Sequence, residues 1–100
     1  MEKVRVKPTE KTTEKLQEPE EYQVILLNDD YTTMDFVVAI LVEVFHKSIP
    51  DATRLMKEIH KKGRGIAGIY PWDIAITKAD QVQSTARANE FPLLTVVEPV

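Results

Sequence analysis

From residue 22 onward, apolar positions recur with two different periods, and residues that cap helices or break strands separate the runs. Tyr22-Gln23-Val24-Ile25-Leu26-Leu27 is almost continuously apolar, which predicts a strand covered on both faces or placed centrally in a sheet. The run Asn28-Asp29-Asp30 ends it. Thr32-Thr33-Met34-Asp35 then has the layout of a capping box, with the Thr32 hydroxyl at the N-cap and an acid further into the first turn. The helix this predicts has Phe36, Val37, Ile40, Leu41, Val44 and Phe45 on one stripe. Ser48-Ile49-Pro50-Asp51 repeats the start signal, because proline is tolerated where first-turn amides lack intrahelical partners. A second helix follows with Ala52, Leu55, Met56 and Ile59 inward, and Gly63 stops it after the cationic turn His60-Lys61-Lys62.

Gly65 to Tyr70 reads as a short strand whose glycines imply a close backbone approach or a bulge. Pro71 opens a third helix, Trp72 to Asn89, with Ile74, Ala75, Val82 and Ala86 facing in. Phe91-Pro92 ends it, and Leu93 to Val97 is a β-branched final strand. The order strand, helix, helix, strand, helix, strand predicts an α+β fold, one small three-stranded sheet packed with three helices. Residues 1–21 differ in kind. Lys, Glu, Thr, Pro8 and Pro19 dominate there, with Val4, Val6 and Leu16 nearly the only apolar positions, so they read as a flexible extension ahead of a core domain over residues 22–100.

Composition narrows the classes. With 100 residues and no cysteine, one small domain is expected, without disulfides, thiolate catalysis or cysteine-ligated zinc, and a reducing cytoplasm is the default location. A formal charge of −3 argues against broad nucleic-acid binding, which normally needs a basic face. No apolar run approaches the roughly 20 residues of a membrane span, and none follows the charged start as in a secretory signal.

The candidate chemistry lies where the first strand ends. Asn28, Asp29, Asp30 and Thr32 place oxygen-bearing side chains directly beside an apolar wall, and His60 follows Ile59 and Met56 on the second helix. Together they suggest a pocket for an ammonium attached to an apolar side chain, the chemistry of a protein N-terminus. Plainer readings stand beside this one. Asn-Asp-Asp also suits a turn bonded to its own backbone, His60 and His46 suit helix C-termini, and Met34 and Met56 suit core filling. Gly63-Arg64-Gly65 lacks the spacing and lysine of a phosphate loop, and no serine carries a nucleophile motif. A metal-dependent enzyme using His46, His60 and Asp30 remains as an alternative without recognised ligand spacing, and a ribosome-stalk-like structural domain as another.

From Tyr22 to Glu98 the chain resembles the ClpS family, small adaptors that deliver N-degron substrates to the Clp AAA+ protease. The matching motifs are Asn28-Asp29-Asp30-Tyr31-Thr32, Met34, Phe36-Val37, Ala52-Thr53, Met56, His60, Gly63 to Gly68, Ala75, Thr77-Lys78, Asn89 and Pro92-Leu93. The resemblance implies a cofactor-free, metal-free, non-enzymatic monomer of the same strand and helix content. It implies that Asn28, Asp30 and His60 receive the substrate α-amino group, with Asp29 and Thr32 lining or bracing the mouth. Leu26, Met34, Val37, Met56, Ile59 and Leu93 would form the pocket for a first residue of Phe, Leu, Trp or Tyr, with Met34 excluding β-branched ones. Asp73 and Lys78 would dock on the N-domain of a ClpA-like or ClpC-like ATPase, with neither nucleic acid nor membrane as partner. Three positions depart from the family pattern. Thr33 replaces a usual proline, Ile76 a glutamate within the docking stretch, and Ala79 a larger apolar residue.

Overall fold

In a computed structural model, which describes residues 20–100, β1 (Tyr22–Leu27) is followed by α1 (Met34–Glu43), α2 (Ile49–Lys62), β2 (Arg64–Tyr70), α3 (Trp72–Ala88) and β3 (Leu94–Pro99). The extension read over residues 1–21 therefore lies outside the described residues, apart from Glu20 and Glu21. The sheet is antiparallel throughout in the order β2-β1-β3. The central place of β1 accounts for its saturated sequence: Val24, Ile25 and Leu26 are all buried.

All three helices lie on one face of the sheet, the α+β architecture expected from the element order. Val24 and Leu26 point into the core formed with Val37, Ile40, Leu41, Met56, Ile59, Ala67, Val82 and Leu93. Ile25 points the other way. By register it lies between Leu27, paired with Arg64, and Gln23, paired with Glu98, so the 3.3 Å Arg64–Glu98 ion pair crosses over it and helps to cover it. The rest of that face keeps Ile66, Ile69 and Leu94 about half exposed.

Both readings of the β2 glycines hold. The ladder shifts between Val24 and Ile25, whose partners are Gly68 and Ile66, leaving Ala67 as a bulge residue. At Gly65 an added Cβ would stand 2.7 Å from Ile59 and 3.1 Å from Leu55, so glycine lets α2 lie close against the sheet.

Helix boundaries follow local chemistry, with two corrections. Ser48 caps α2 by accepting from the Asp51 N–H at 3.2 Å, and Gly63 closes it at φ 92° while donating to Ile59 O. For α1, however, the N-cap is Thr33, accepting from Phe36 N at 3.2 Å, and not Thr32. The Thr32 hydroxyl instead donates to the Asp29 carboxylate. On α3 the inward row is Ala75, Ala79, Val82 and Ala86, whereas Ile74 is 47% exposed. Ile74 sits about 100° around the helix from that row, which is made almost wholly of alanines that permit close packing on the sheet. The strand and helix ends otherwise shift by one or two residues: β2 gains Arg64, α3 stops at Ala88, and β3 starts at Leu94 and reaches Pro99.

The exit from α3 is closed by Glu90 N donating to Arg87 O at 3.0 Å and Phe91 N donating to Ala86 O at 2.8 Å. That pattern is a Schellman closure, and its left-handed residue is Glu90 at φ 63° where glycine is usual. A side chain in this conformation costs about 1 kcal/mol.

Candidate functional site

The loop from Asn28 to Thr33 is shaped by one carboxylate. Asp29 Oδ1 accepts from Tyr31 N at 2.8 Å and Thr32 N at 2.7 Å, and Oδ2 accepts from the Thr32 hydroxyl at 2.8 Å. Burial raises the Asp29 pKa, but the bonds from the Thr32 amide, the Thr32 hydroxyl and the Tyr31 amide outweigh it and hold the carboxyl below its ordinary value. Asp29 and Thr32 thus engage each other and brace the loop. A backbone bond of 2.9 Å from Asn28 N to Gly63 O ties the end of β1 to the end of α2, whose last turn carries His60.

These ties bring the loop and α2 around a cavity of about 390 Å³, toward the small end of the roughly 300–1,000 Å³ typical of ligand pockets. Its polar side is Asn28, Asp29, Asp30, Tyr31, Thr32, Thr33 and His60; its apolar side is Met34, Val37, Met56 and Ile59. Among the described residues, the Asn28 amide, the Asp30 carboxylate and the His60 ring make no side-chain hydrogen bond, and all three residues are exposed. An amide oxygen, a carboxylate and an imidazole nitrogen therefore stand beside an apolar wall. That set can accept from the three N–H donors of one ammonium. Met34 is 49% exposed, whereas Val37, Met56 and Ile59 show less than a tenth of their surface, so Met34 forms the rim and the others the depth.

Every residue expected at the amine site, Asn28, Asp29, Asp30, Thr32 and His60, lines this cavity, together with Met34, Val37, Met56 and Ile59. Leu26 and Leu93 do not: both are fully enclosed in the core, Leu26 beneath the helices on the covered face of the sheet. Tyr31 and Thr33 line it and were not among the candidates. The signal for Tyr31 lay within the Asn28 to Thr32 run itself, since an aspartate bonded to the amides two and three residues on makes a tight turn, on which Tyr31 is left 78% exposed. Among the described residues, no three His, Cys, Asp or Glu side chains converge as metal ligands, and no helix is long and apolar enough to cross a membrane.

Asp73 and Lys78 lie away from the cavity on α3. Asp73 is exposed in the first turn, and its carbonyl accepts from the Thr77 hydroxyl at 2.8 Å. Lys78 Nζ donates to Val44 O, the C-cap carbonyl of α1, at 2.7 Å, and stands 5.3 Å from the Tyr70 ring centroid and 6.0 Å from that of Phe45.

Fold and cavity together define a small α+β domain with acceptors set beside an apolar recess. The chain belongs to the ClpS family: the family described as "ATP-dependent Clp protease adaptor protein ClpS" matches residues 17–96. It is 58% identical over 81 residues to the ATP-dependent Clp protease adapter protein ClpS of Acetivibrio thermocellus, covering 81% of this chain and 82% of that one. To the protein of the same name from Treponema denticola it is 54% identical over 88 residues, covering 88% and 87%. Among solved structures, Agrobacterium tumefaciens ClpS2 bound to L-phenylalaninamide superposes with a TM-score of 0.80 at 37% identity, covering 83% of this chain and all of that one.

Proposed function

We propose that the cavity binds the free α-amino group and the first side chain of proteins that begin with Phe, Leu, Trp or Tyr, and that the chain delivers them to a ClpA-like or ClpC-like unfoldase. The observation that carries this reading is the shared cavity, in which Asn28, Asp30 and His60 border the recess formed by Met34, Val37, Met56 and Ile59. The ligand of the A. tumefaciens relative supports it, because phenylalaninamide pairs a free amine with an aromatic side chain and an amide where a peptide would continue.

The energetics are adequate. Burying a Phe or Leu side chain contributes about 1.5–3 kcal/mol and each charge-assisted hydrogen bond about 1.5–3 kcal/mol more. Against several kcal/mol of association cost, micromolar affinity, about −8 kcal/mol, is within reach. No step calls for a cofactor, a metal or catalysis by this chain, which acts as a monomer in the cytoplasm. Docking on the ATPase N-domain uses the exposed start of α3 around Asp73; Lys78 joins it by releasing Val44 O.

The deciding experiment titrates a fluorescent Leu-initiated peptide and its N-acetylated twin. Acetylation removes the charge and two of the three donors and leaves the side chain unchanged, so affinity falls by at least ~2 kcal/mol. Equal affinity for the two peptides would overturn the reading.

A further inference from the structure

A second, larger hollow of about 690 Å³ adjoins the first, lined by Tyr31, Arg87, Glu90, Phe91, Pro92 and Leu94. Tyr31 lines both, so its ring forms the boundary between them. The hollow is open and has an apolar floor, and Leu94 leaves half its surface in water. Its walls are held from behind. Arg87 Nη1 donates to Phe91 O at 2.9 Å and Leu93 O at 3.1 Å, and the Phe91 ring packs on Phe36 with centroids 4.8 Å apart. Glu90 is kept at positive φ by the helix closure that sets the direction of this loop. A strained, braced loop around exposed apolar surface is a feature of binding sites more than of inert surface.

Resting on the amine-binding reading above, we infer that this hollow takes the residues that follow the first one in the same substrate chain, and that it favours an apolar or aromatic side chain at the second to fourth position. Continuity with the first cavity decides the occupant. A peptide whose amine is held at Asn28, Asp30 and His60 advances about 3.3 Å per extended residue, and passing the Tyr31 ring brings it over Phe91, Pro92 and Leu94. Tyr31 then serves both subsites, as an edge of the first and a stacking surface for the second.

The test compares Leu-initiated peptides that carry alanine at positions two to four with others carrying one phenylalanine at each of these positions in turn. Wild type should bind the best phenylalanine peptide about fivefold more tightly than the all-alanine one, a fraction of a full aromatic burial. Leu94→Ser lies outside the first cavity; it should bring that ratio near one and leave the all-alanine affinity unchanged. Tyr31→Ser should lower the ratio as well. Equal binding of all the peptides by wild type, or a ratio that survives both substitutions, would overturn the inference while acetyl-sensitive binding upholds the adaptor reading. Loss of the acetyl sensitivity itself would instead strike that underlying reading.

Discussion

The mouth of the first cavity and the corner where α3 meets α1 both carry residues that the family resemblance assigns to interactions, yet their polar groups are in opposite states. At the mouth, Asn28, Asp30 and His60 are exposed and make no side-chain hydrogen bond among the described residues. At the corner, the Lys78 ammonium caps the Val44 carbonyl and faces two aromatic rings. A polar group already matched inside the fold must break that match to meet a partner, whereas an unmatched one loses only water. The mouth has the unmatched acceptors that the proposed reading needs, whereas Lys78 first holds α1 against α3.

The largest effect expected from this contrast is on ligand affinity at the mouth. Asp30→Ala should weaken a Leu-initiated peptide by about 2 kcal/mol, since it removes a charged acceptor, with the melting temperature nearly unchanged. A titration paired with thermal unfolding checks both halves. Lys78→Met should do the reverse. Losing the carbonyl bond and the ring contacts costs about 1–2 kcal/mol of stability in denaturant unfolding, with peptide affinity kept. If Lys78→Met unfolded at the same denaturant concentration as wild type, the corner would not be a structural tie.

Between these lies Met34, which is half exposed at the rim. Met34→Ala should admit Val- or Ile-initiated peptides that wild type rejects, a gain of about 1 kcal/mol that appears only for branched first residues. Uniform weakening of all peptides would make Met34 ordinary wall.

Asp29 supplies a pH dependence. Its folded pKa is lowered, so its contribution is fully present above the unfolded value of about 3.9 and is lost as pH falls through the lower folded value. Protection of the Tyr31 and Thr32 amides from hydrogen exchange, taken relative to the intrinsic rate at each pH, should therefore fall on acidification below about pH 4, by a factor corresponding to about 1 kcal/mol. In Asp29→Asn the acid-dependent part should vanish. The smallest effect is expected at Glu90, where Glu90→Gly should relieve the positive φ and raise stability by about 0.5–1 kcal/mol.

How much of this was legible depended on how local each signal is. The cavity's polar residues were readable because Asn28 to Thr32 and His60 are set by the end of one strand and the last turn of one helix, both marked in the sequence by Asn-Asp-Asp and Gly63. The choice between Thr32 and Thr33 as cap was not readable, because either hydroxyl suits the position until Asp29 claims one of them. Leu26 and Leu93 carried an apolar label that fits pocket or core equally well, and only the packing of α1 and α2 over the sheet separates the two. The Lys78 tie joins residues 34 positions apart and has no periodic signature. The sheet was legible as three strands from composition, whereas the crossing of Arg64 and Glu98 over Ile25 depends on register.

The backbone bond from Asn28 N to Gly63 O gives the cavity a kinetic character. It joins the two segments that carry the proposed acceptors, so their spacing is set by the fold itself and not by a ligand. On the proposed amine-binding reading, encounter should proceed at rates typical of preformed surfaces, about 10⁵–10⁷ per molar per second, for good and poor ligands alike. Discrimination should then fall to dwell time, so that a ligand with the wrong first side chain is expected to enter as readily as the right one and to leave sooner.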